Sequence, residues 1–380
     1  MHIPHSIVCR RSTAAGLLIL SLTCGTAMVP AKAQPAQHYK QTNLVSNLAS
    51  LAPTVDPHLV NAWGMARSST SPWWISDNGT GLSTLYSGTG SIVPLVVTIP
   101  SADTSASPTG TPTGVVFNGE ANVFMLNGKA ATFMFATEDG SVSAWNGGTI
   151  ATIVVNQSPK SVFKGLTIAS TSEFTGKPAT YLYVADFRQG RVEVFDSGFN
   201  PVHFGIFNFL HGEPFTDDLL PRGFAPFNVQ NIGGDLYVAF AKQDSAKHDD
   251  VDGAGLGFVD VFSPGGTLLM RLEHGPWLNA PWGLVMASSD FGLHSHDILV
   301  GQFGSGEILA FDHVTGKFRG ALQGTNDQPL VINGLWGLGF GNGGTAGPAT
   351  TLFFAAGIDD EKNGLFGNIT AVENIRGGDR

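Results

Sequence analysis

The chain has 380 residues, of which 42% are hydrophobic and 13% charged, and it carries 49 glycines and 21 prolines. That balance excludes disorder, which goes with few apolar residues, and fits a large β protein with many tight turns. The formal net charge of −10 disfavours nucleic acid and anionic membrane surfaces as partners and favours neutral or cationic ligands.

Arg10 and Arg11 come first, then an apolar run from Thr13 to Val29 and the small-x-small sequence Ala31-Lys32-Ala33. This is the pattern of a secretory signal cut before Gln34. A transmembrane anchor is the alternative, but Ser21, Thr23, Gly25 and Thr26 interrupt the run, which is short for a span. Residues 1–33 are therefore expected to be a signal peptide, 34–376 a single domain and 377–380 a short polar tail. The protein is expected to be secreted or periplasmic, with no membrane span once the signal is removed. Both cysteines, Cys9 and Cys24, lie in the signal, so stability is expected to come from burial without a disulfide.

After a polar lead, Asn43 to Leu48 reads as a strand with no hairpin partner of its own. One unit then recurs six times. Each unit opens on a short strand: Trp63-Gly64-Met65, Thr113-Gly114-Val115, Lys164-Gly165-Leu166, Phe227-Asn228-Val229, Trp282-Gly283-Leu284 and Trp336-Gly337-Leu338. Glycine is expected there because six innermost strands crowd one axis. Second strands are continuous apolar runs such as Leu182-Tyr183-Val184, and third strands are expected to begin at Gly81, Gly140, Gly190, Gly257, Gly306 and Gly367. Fourth strands are legible at Leu95–Thr98, Thr152–Val154, Phe204–Ile206, Leu268–Met270 and Phe318–Ala321. The sixth unit stops near Val372 without one, and the orphan strand at Asn43–Leu48 supplies it. The pattern predicts an all-β fold, a six-bladed β-propeller of roughly 50 residues per blade closed by an N-terminal strand that completes the last blade.

In a propeller the turns between strands two and three share a face with the connections entering each innermost strand. Asn61, Lys164, Asn228, Asn279 and Asn333 start innermost strands, with Trp63, Trp282 and Trp336 beside them, and the turns add Asp77, Asn78, Asp186, Lys242 and Glu361. Polar and aromatic groups converging on one pore mouth are what a ligand site requires. The competing reading makes the acidic and amide residues turn formers, the asparagines strand caps and the tryptophans a plug of the channel.

The insertion from Ala241 to Gly255 lengthens the fourth unit's turn. Asp250, Asp252 and Gly253 begin like a calcium loop, yet the twelfth position is Val259 where a glutamate is needed. An irregular Ca²⁺ site at Asp249, Asp250 and Asp252 and a solvated lid are the two readings of this segment; no other cofactor is indicated. His294-Ser295-His296-Asp297 has metal-ligand residues but falls in a turn on the opposite face, and Gly339 to Gly344 matches a dinucleotide fingerprint with no helix after it to meet a phosphate. The chain has no Gly-x-Ser-x-Gly and no His-Glu-x-x-His.

The hairpin Leu182 to Phe195, with its Val-Ala-Asp turn and glycine-led third strand, resembles an NHL-type repeat. Asn61-Ala62-Trp63-Gly64, Ala241-Lys242-Gln243-Asp244, Lys247-His248-Asp249-Asp250, Leu278-Asn279-Ala280-Pro281-Trp282-Gly283 and Gly364-Leu365-Phe366-Gly367 resemble an uncharacterised family of secreted bacterial six-bladed propellers. Some members carry an exosortase sorting tail, which this chain lacks. The resemblance implies the fold and export and supplies no catalytic residues. The expected function is binding of a small molecule, glycan or protein at the pore mouth by a monomer. The alternative resembles the lactonase-type propellers, a calcium-assisted hydrolase or lyase using Asp77, Asp186, Asn228, Asn279, Asn333 and Glu361.

Overall fold

The computed structural model describes residues 37–204 and 213–372. The expected signal peptide, the tail at 377–380, and Gly205 and Ile206 of the third unit's fourth strand lie outside the described residues. Six antiparallel sheets follow one another along the chain. Their innermost strands are Ala62–Ala66, Pro112–Phe117, Phe163–Thr171, Phe224–Ile232, Pro281–Met286 and Leu335–Phe340. Each packs on the next and the sixth packs on the first, which closes the ring of a six-bladed propeller. Among the described residues the one helical element is the 3-10 turn Gly292–His294, and no helix is long and apolar enough to cross a membrane.

Crowding at the axis explains the innermost glycines. A Cβ on Gly64 would strike Thr113 and Gly114, one on Gly114 would strike Gly165, one on Gly165 would strike Asn228, one on Gly283 would strike Trp336, and one on Gly337 would strike Trp63 and Met65. The glycines therefore set the blade spacing by close backbone approach. Where the fourth blade has Asn228 in place of glycine, Nδ2 donates to the Trp282 carbonyl at 2.7 Å and Oδ1 accepts from the Val229 N–H at 2.8 Å.

Of the six glycines expected to begin third strands, Gly257 does so and Gly81, Gly140, Gly190 and Gly306 stand just before theirs, while Gly367 does not. Gly81, Gly140, Gly190 and Gly306 hold φ between 70° and 82° just before strand three, a left-handed conformation that glycine adopts without strain. Gly257 begins its strand without a positive φ, because the long insertion replaces the tight turn. Gly367 lies in mid-strand, opposite Phe354, whose ring fills the space of a Cβ. In that blade Asp359, Asp360 and Glu361 make the turn instead.

Second strands are buried throughout in the first, second, fifth and sixth blades. They pack blade on blade: Trp74 of the first stacks on Phe133 of the second with centroids 4.2 Å apart. The closing strand runs from His38 to Ser46, beginning earlier than the expected Asn43, and pairs from His38 opposite Val372 to Ser46 opposite Leu365 with an irregularity between Asn43 and Val45. Its first residues look polar in sequence, but Tyr39 is 1% exposed and donates its hydroxyl to the Phe291 carbonyl at 2.9 Å. Thr54–Val55 adds a short parallel pairing at its outer edge.

Candidate functional site

One backbone bond recurs in all six blades and builds the mouth. The N–H of a residue at or just past the end of strand two donates to the carbonyl just before the innermost strand: Asn78 to Asn61, Glu138 to Thr111, Phe187 to Val162, Gln243 to Gly223, Phe303 to Ala280 and Gly357 to Gly334, at 2.8 to 3.1 Å. The residues Asn78, Glu138, Phe187, Gln243, Phe303 and Gly357 thus share one position on the mouth. Because side chains alternate along a strand, the residue before each of them turns away. Gly357 has no side chain, and a Cβ there would strike the Asn61 amide oxygen.

The floor is aromatic. Trp63, Phe227, Trp282 and Trp336 are buried at the axis. Trp336 lies between Trp63 at 3.7 Å and Phe303 at 3.9 Å, both near parallel, with Trp282 edge-on at 5.9 Å. Trp282 Nε1 donates to the Lys164 carbonyl at 3.1 Å and Trp336 Nε1 to Asn61 Oδ1 at 3.2 Å. Beneath them the channel narrows to a void of about 20 Å³ lined by Met65, Asn228, Gln230 and Leu338. The tryptophans are therefore the plug that the sequence reading set against a ligand role, and their upper surface is the floor of the mouth.

A polar chain crosses that floor. Lys164 Nζ donates to Glu138 Oε1 at 2.5 Å and to Asp249 Oδ1 at 3.2 Å, and it sits 5.1 Å from the Trp63 ring centroid. Asn78 Nδ2 donates to Glu138 Oε2 at 2.8 Å, and Asn61 Nδ2 donates to Asn78 Oδ1 at 3.2 Å and to Glu361 Oε2 at 2.6 Å. Burial alone would lower the Lys164 pKa, but Glu138 and then Asp249 outweigh it and hold it above its ordinary value. The hydrogen bond with His248, at 2.9 Å, and the Lys164 charge hold Asp249 far below the usual carboxylate range, while the same bond raises His248. Burial raises Glu361 against the pull of its Asn61 bond. The network is an ammonium held by two carboxylates: the second Glu138 oxygen meets the Asn78 amide, and the Asp249 oxygen on Lys164 also meets the His248 imidazole.

Beside this chain opens a groove of about 770 Å³ lined by Phe303, Asn333, Asp252, Asp359, Asp360 and Glu361 over a glycine floor. Asp359, Asp360 and Glu361 hold φ of 56°, 53° and 62° in succession. The left-handed conformation costs such residues roughly 1–2 kcal/mol each. Asn279 Oδ1 accepts the Gly253 N–H at 2.7 Å and so ties the insertion to the rim.

The structure brings Asn61, Trp63, Asn78, Lys164, Trp282, Trp336 and Glu361 together, with Asn279 on the rim and Asn333 in the groove. It does not bring Asp77, Asp186, Asn228 or Lys242 into that network. Asp77 is wholly buried, and burial raises its pKa well above the usual range against the opposing pull of Thr84. Asp186 accepts the Gln189 N–H of its own turn and the Val162 N–H just before the innermost strand, and burial pushes it up to about 6. Asn228 is part of the pore wall, and Lys242 donates to the Arg222 carbonyl beside Phe224. The asparagines are also not equivalent: the recurring bond aligns Asn61 with Ala280 and Gly334, one residue after Asn279 and Asn333.

Of the three expected calcium ligands, Asp249 is bonded to Lys164 and His248, and Asp250 is held well above the usual carboxylate range by burial and by its hydrogen bond with Asp252. Among the described residues, Glu138, His248 and Asp249 form a metal-capable set, with donor atoms within 4.8 Å of one another. Glu138, His248, Phe187 and Phe303, which the sequence also places in the turns of the entry face though outside the leading candidates, join the site here. Three of them were detectable as the residue after Thr137, Asp186 and Gln302, the common turn position. The motif around His294 builds an internal ion pair: Nδ1 lies 3.0 Å from Asp297 Oδ2, and Asp297 Oδ1 accepts from Arg319 at 3.1 Å.

No family model matches this chain. It is 32% identical over 345 residues to uncharacterized protein R648 of Acanthamoeba polyphaga mimivirus, covering 87% of this chain and 80% of that protein. Its identity to uncharacterized protein L690 of the same virus is 31% over 355 residues, covering 89% and 87%. Among solved structures, a structural genomics protein of unknown function from Bacteroides thetaiotaomicron VPI-5482 shares the fold, with a TM-score of 0.51 at 12% identity over 87% of this chain and 76% of that one. Virginiamycin B lyase from Staphylococcus aureus gives a TM-score of 0.49 at 10% identity, over 88% and 99%.

Proposed function

The chain belongs to the family that contains the mimivirus proteins R648 and L690, and we propose that it is a binding propeller whose groove takes a polyhydroxylated ligand, a glycan or small polyol. One observation carries this reading: an open groove of about 770 Å³ joins an aromatic face, Phe303, to amide and carboxylate acceptors at Asn333, Asp359 and Glu361. Aromatic faces stack on the apolar faces of sugar rings, and convergent amides and carboxylates bond their hydroxyls. The N-terminal pattern supports export to the periplasm or medium. The reading is tested by titrating glycan libraries into wild type and Phe303→Ala while following thermal unfolding. A ligand at about a hundredfold its dissociation constant stabilises by about 2.7 kcal/mol, and the variant should lose most of that shift; no shift from any glycan would overturn the reading.

A second reading, the calcium-assisted hydrolase or lyase, draws on the convergence of Glu138, His248 and Asp249. A divalent ion there would share both carboxylates with the Lys164 ammonium, at a cost in charge repulsion. Metal analysis of purified protein, with lactone and ester assays in calcium and in chelator, separates the two.

A further inference from the structure

The two carboxylates on Lys164 differ in origin. Glu138 belongs to the ring, and its side chain is 11% exposed; Asp249 reaches the axis from the fourth-blade insertion, and its side chain is 66% exposed. The Lys164 side chain is 1% exposed. Asp249 is therefore the cover between Lys164 and solvent, and it belongs to a turn bonded largely to itself: the Asp244 N–H donates to the Asp249 carbonyl at 2.9 Å and the His248 N–H to Asp244 Oδ1 at 2.9 Å.

We propose that Lys164, with His248, is the seat for a carboxylate of the ligand, and that Asp249 occupies that seat in the free protein. This inference rests on the mouth being a binding site and narrows its ligand to a carboxylated saccharide, whose ring would lie in the adjoining groove. A buried ammonium on an aromatic floor is retained at a cost in desolvation, which a ligand carboxylate offsets in the same way that Asp249 now does. One Asp249 oxygen, Oδ1, meets both Lys164 Nζ at 3.2 Å and His248 Nδ1 at 2.9 Å. A singly charged, planar group therefore fits, whereas a phosphate would bring further charge against Glu138 and Glu361. Exchange costs little in electrostatic terms, because one carboxylate leaves as another arrives, so Lys164 is never left uncovered and no new charge enters the cluster.

The test is substitution of Asp249 by alanine and, as a milder change, by asparagine, with calorimetric titration of sodium acetate, sodium glucuronate and glucose at constant ionic strength. Both variants should bind acetate and glucuronate at least tenfold more tightly than wild type, and the further substitution Lys164→Met should abolish the gain. Glucose should bind wild type and the Asp249 variants equally. No gain for the carboxylates, or an equal gain for glucose, would overturn the proposal. Glycan binding lost in Phe303→Ala while the carboxylate gain remains would place the sugar in the groove independently. A carboxylate gain with no saccharide binding at all would keep the seat and reject the groove.

Discussion

Trp336 donates its indole N–H to Oδ1 of Asn61 at 3.2 Å, across 275 positions of sequence. The bond joins the last blade to the first at the floor of the mouth, and it fixes which end of the Asn61 amide faces Glu361 and Asn78. Asn61 itself holds φ of 48°, a conformation that asparagine tolerates better than most residues. Asn61→Ala should cost about 1–3 kcal/mol by removing the partner of the buried Trp336 N–H together with the bonds to Asn78 and Glu361. Asn61→Gly should recover the backbone share, about 1 kcal/mol, and none of the rest. Urea unfolding of both variants, followed by tryptophan fluorescence, measures the difference; equal stabilities would show that the left-handed conformation contributes nothing.

Lys164 and Glu138 form a buried pair whose separation should be costly. Lys164→Met leaves Glu138 without its cation and is expected to destabilise the fold by about 3–5 kcal/mol. Adding Glu138→Gln removes the stranded charge and should restore a large part of that loss. A double-substitution cycle by denaturant unfolding gives the coupling directly, and additive losses would mean that the pair does not act as one unit.

Asp186 has its carboxyl raised by burial from the ordinary 3.8 to about 6. The folded protein therefore keeps a proton that the unfolded chain releases, so this group's contribution is full below pH 4 and is lost as the pH rises through 6. The loss is roughly 3 kcal/mol in size. Asp186→Asn keeps an oxygen for the Gln189 and Val162 N–H groups and removes the titration. Melting temperatures between pH 3.5 and 7.5 should show the variant gaining on wild type as the pH rises, and parallel curves would rule out a buried titrating carboxyl.

The closing strand should be indispensable. A chain that begins at Ala52 loses Tyr39, Leu44 and Val45, all less than 9% exposed, at about 1.5–3 kcal/mol for each buried large side chain, and it bares the strand Asn363–Val372. It should aggregate or melt far below a chain that begins at Gln34, as gel filtration and calorimetry would show. Equal melting temperatures would remove the strand from the ring.

The blades were legible in sequence because their constraints are steric and repeat six times: a glycine where the next backbone comes within contact, and an apolar run where a strand is covered on both faces. The mouth was less legible because its register hangs on one residue. Asp77 and Asn78 are equally polar, yet strand alternation turns the first into the protein and sends the second to Glu138. Glu361 could be singled out as a charge in a turn, but its reach to Asn61 depends on a left-handed run that composition does not announce. The insertion stood out as unusual. Its destination did not, since Asp249 meets a lysine 85 positions away, in another blade.

The closing strand also sets a clock. Ser46 Oγ donates to the Gly364 carbonyl, 318 positions later, so the first strand of the ring leaves the ribosome long before its partner exists. At about 5–20 residues per second, that interval is roughly 15 to 60 seconds, far longer than a hairpin needs to form. Five blades can assemble in turn while this strand waits with an open edge, exposed to the wrong neighbours. Through that interval Tyr39, Leu44 and Val45, buried in the closed ring, have no partner strand to cover them.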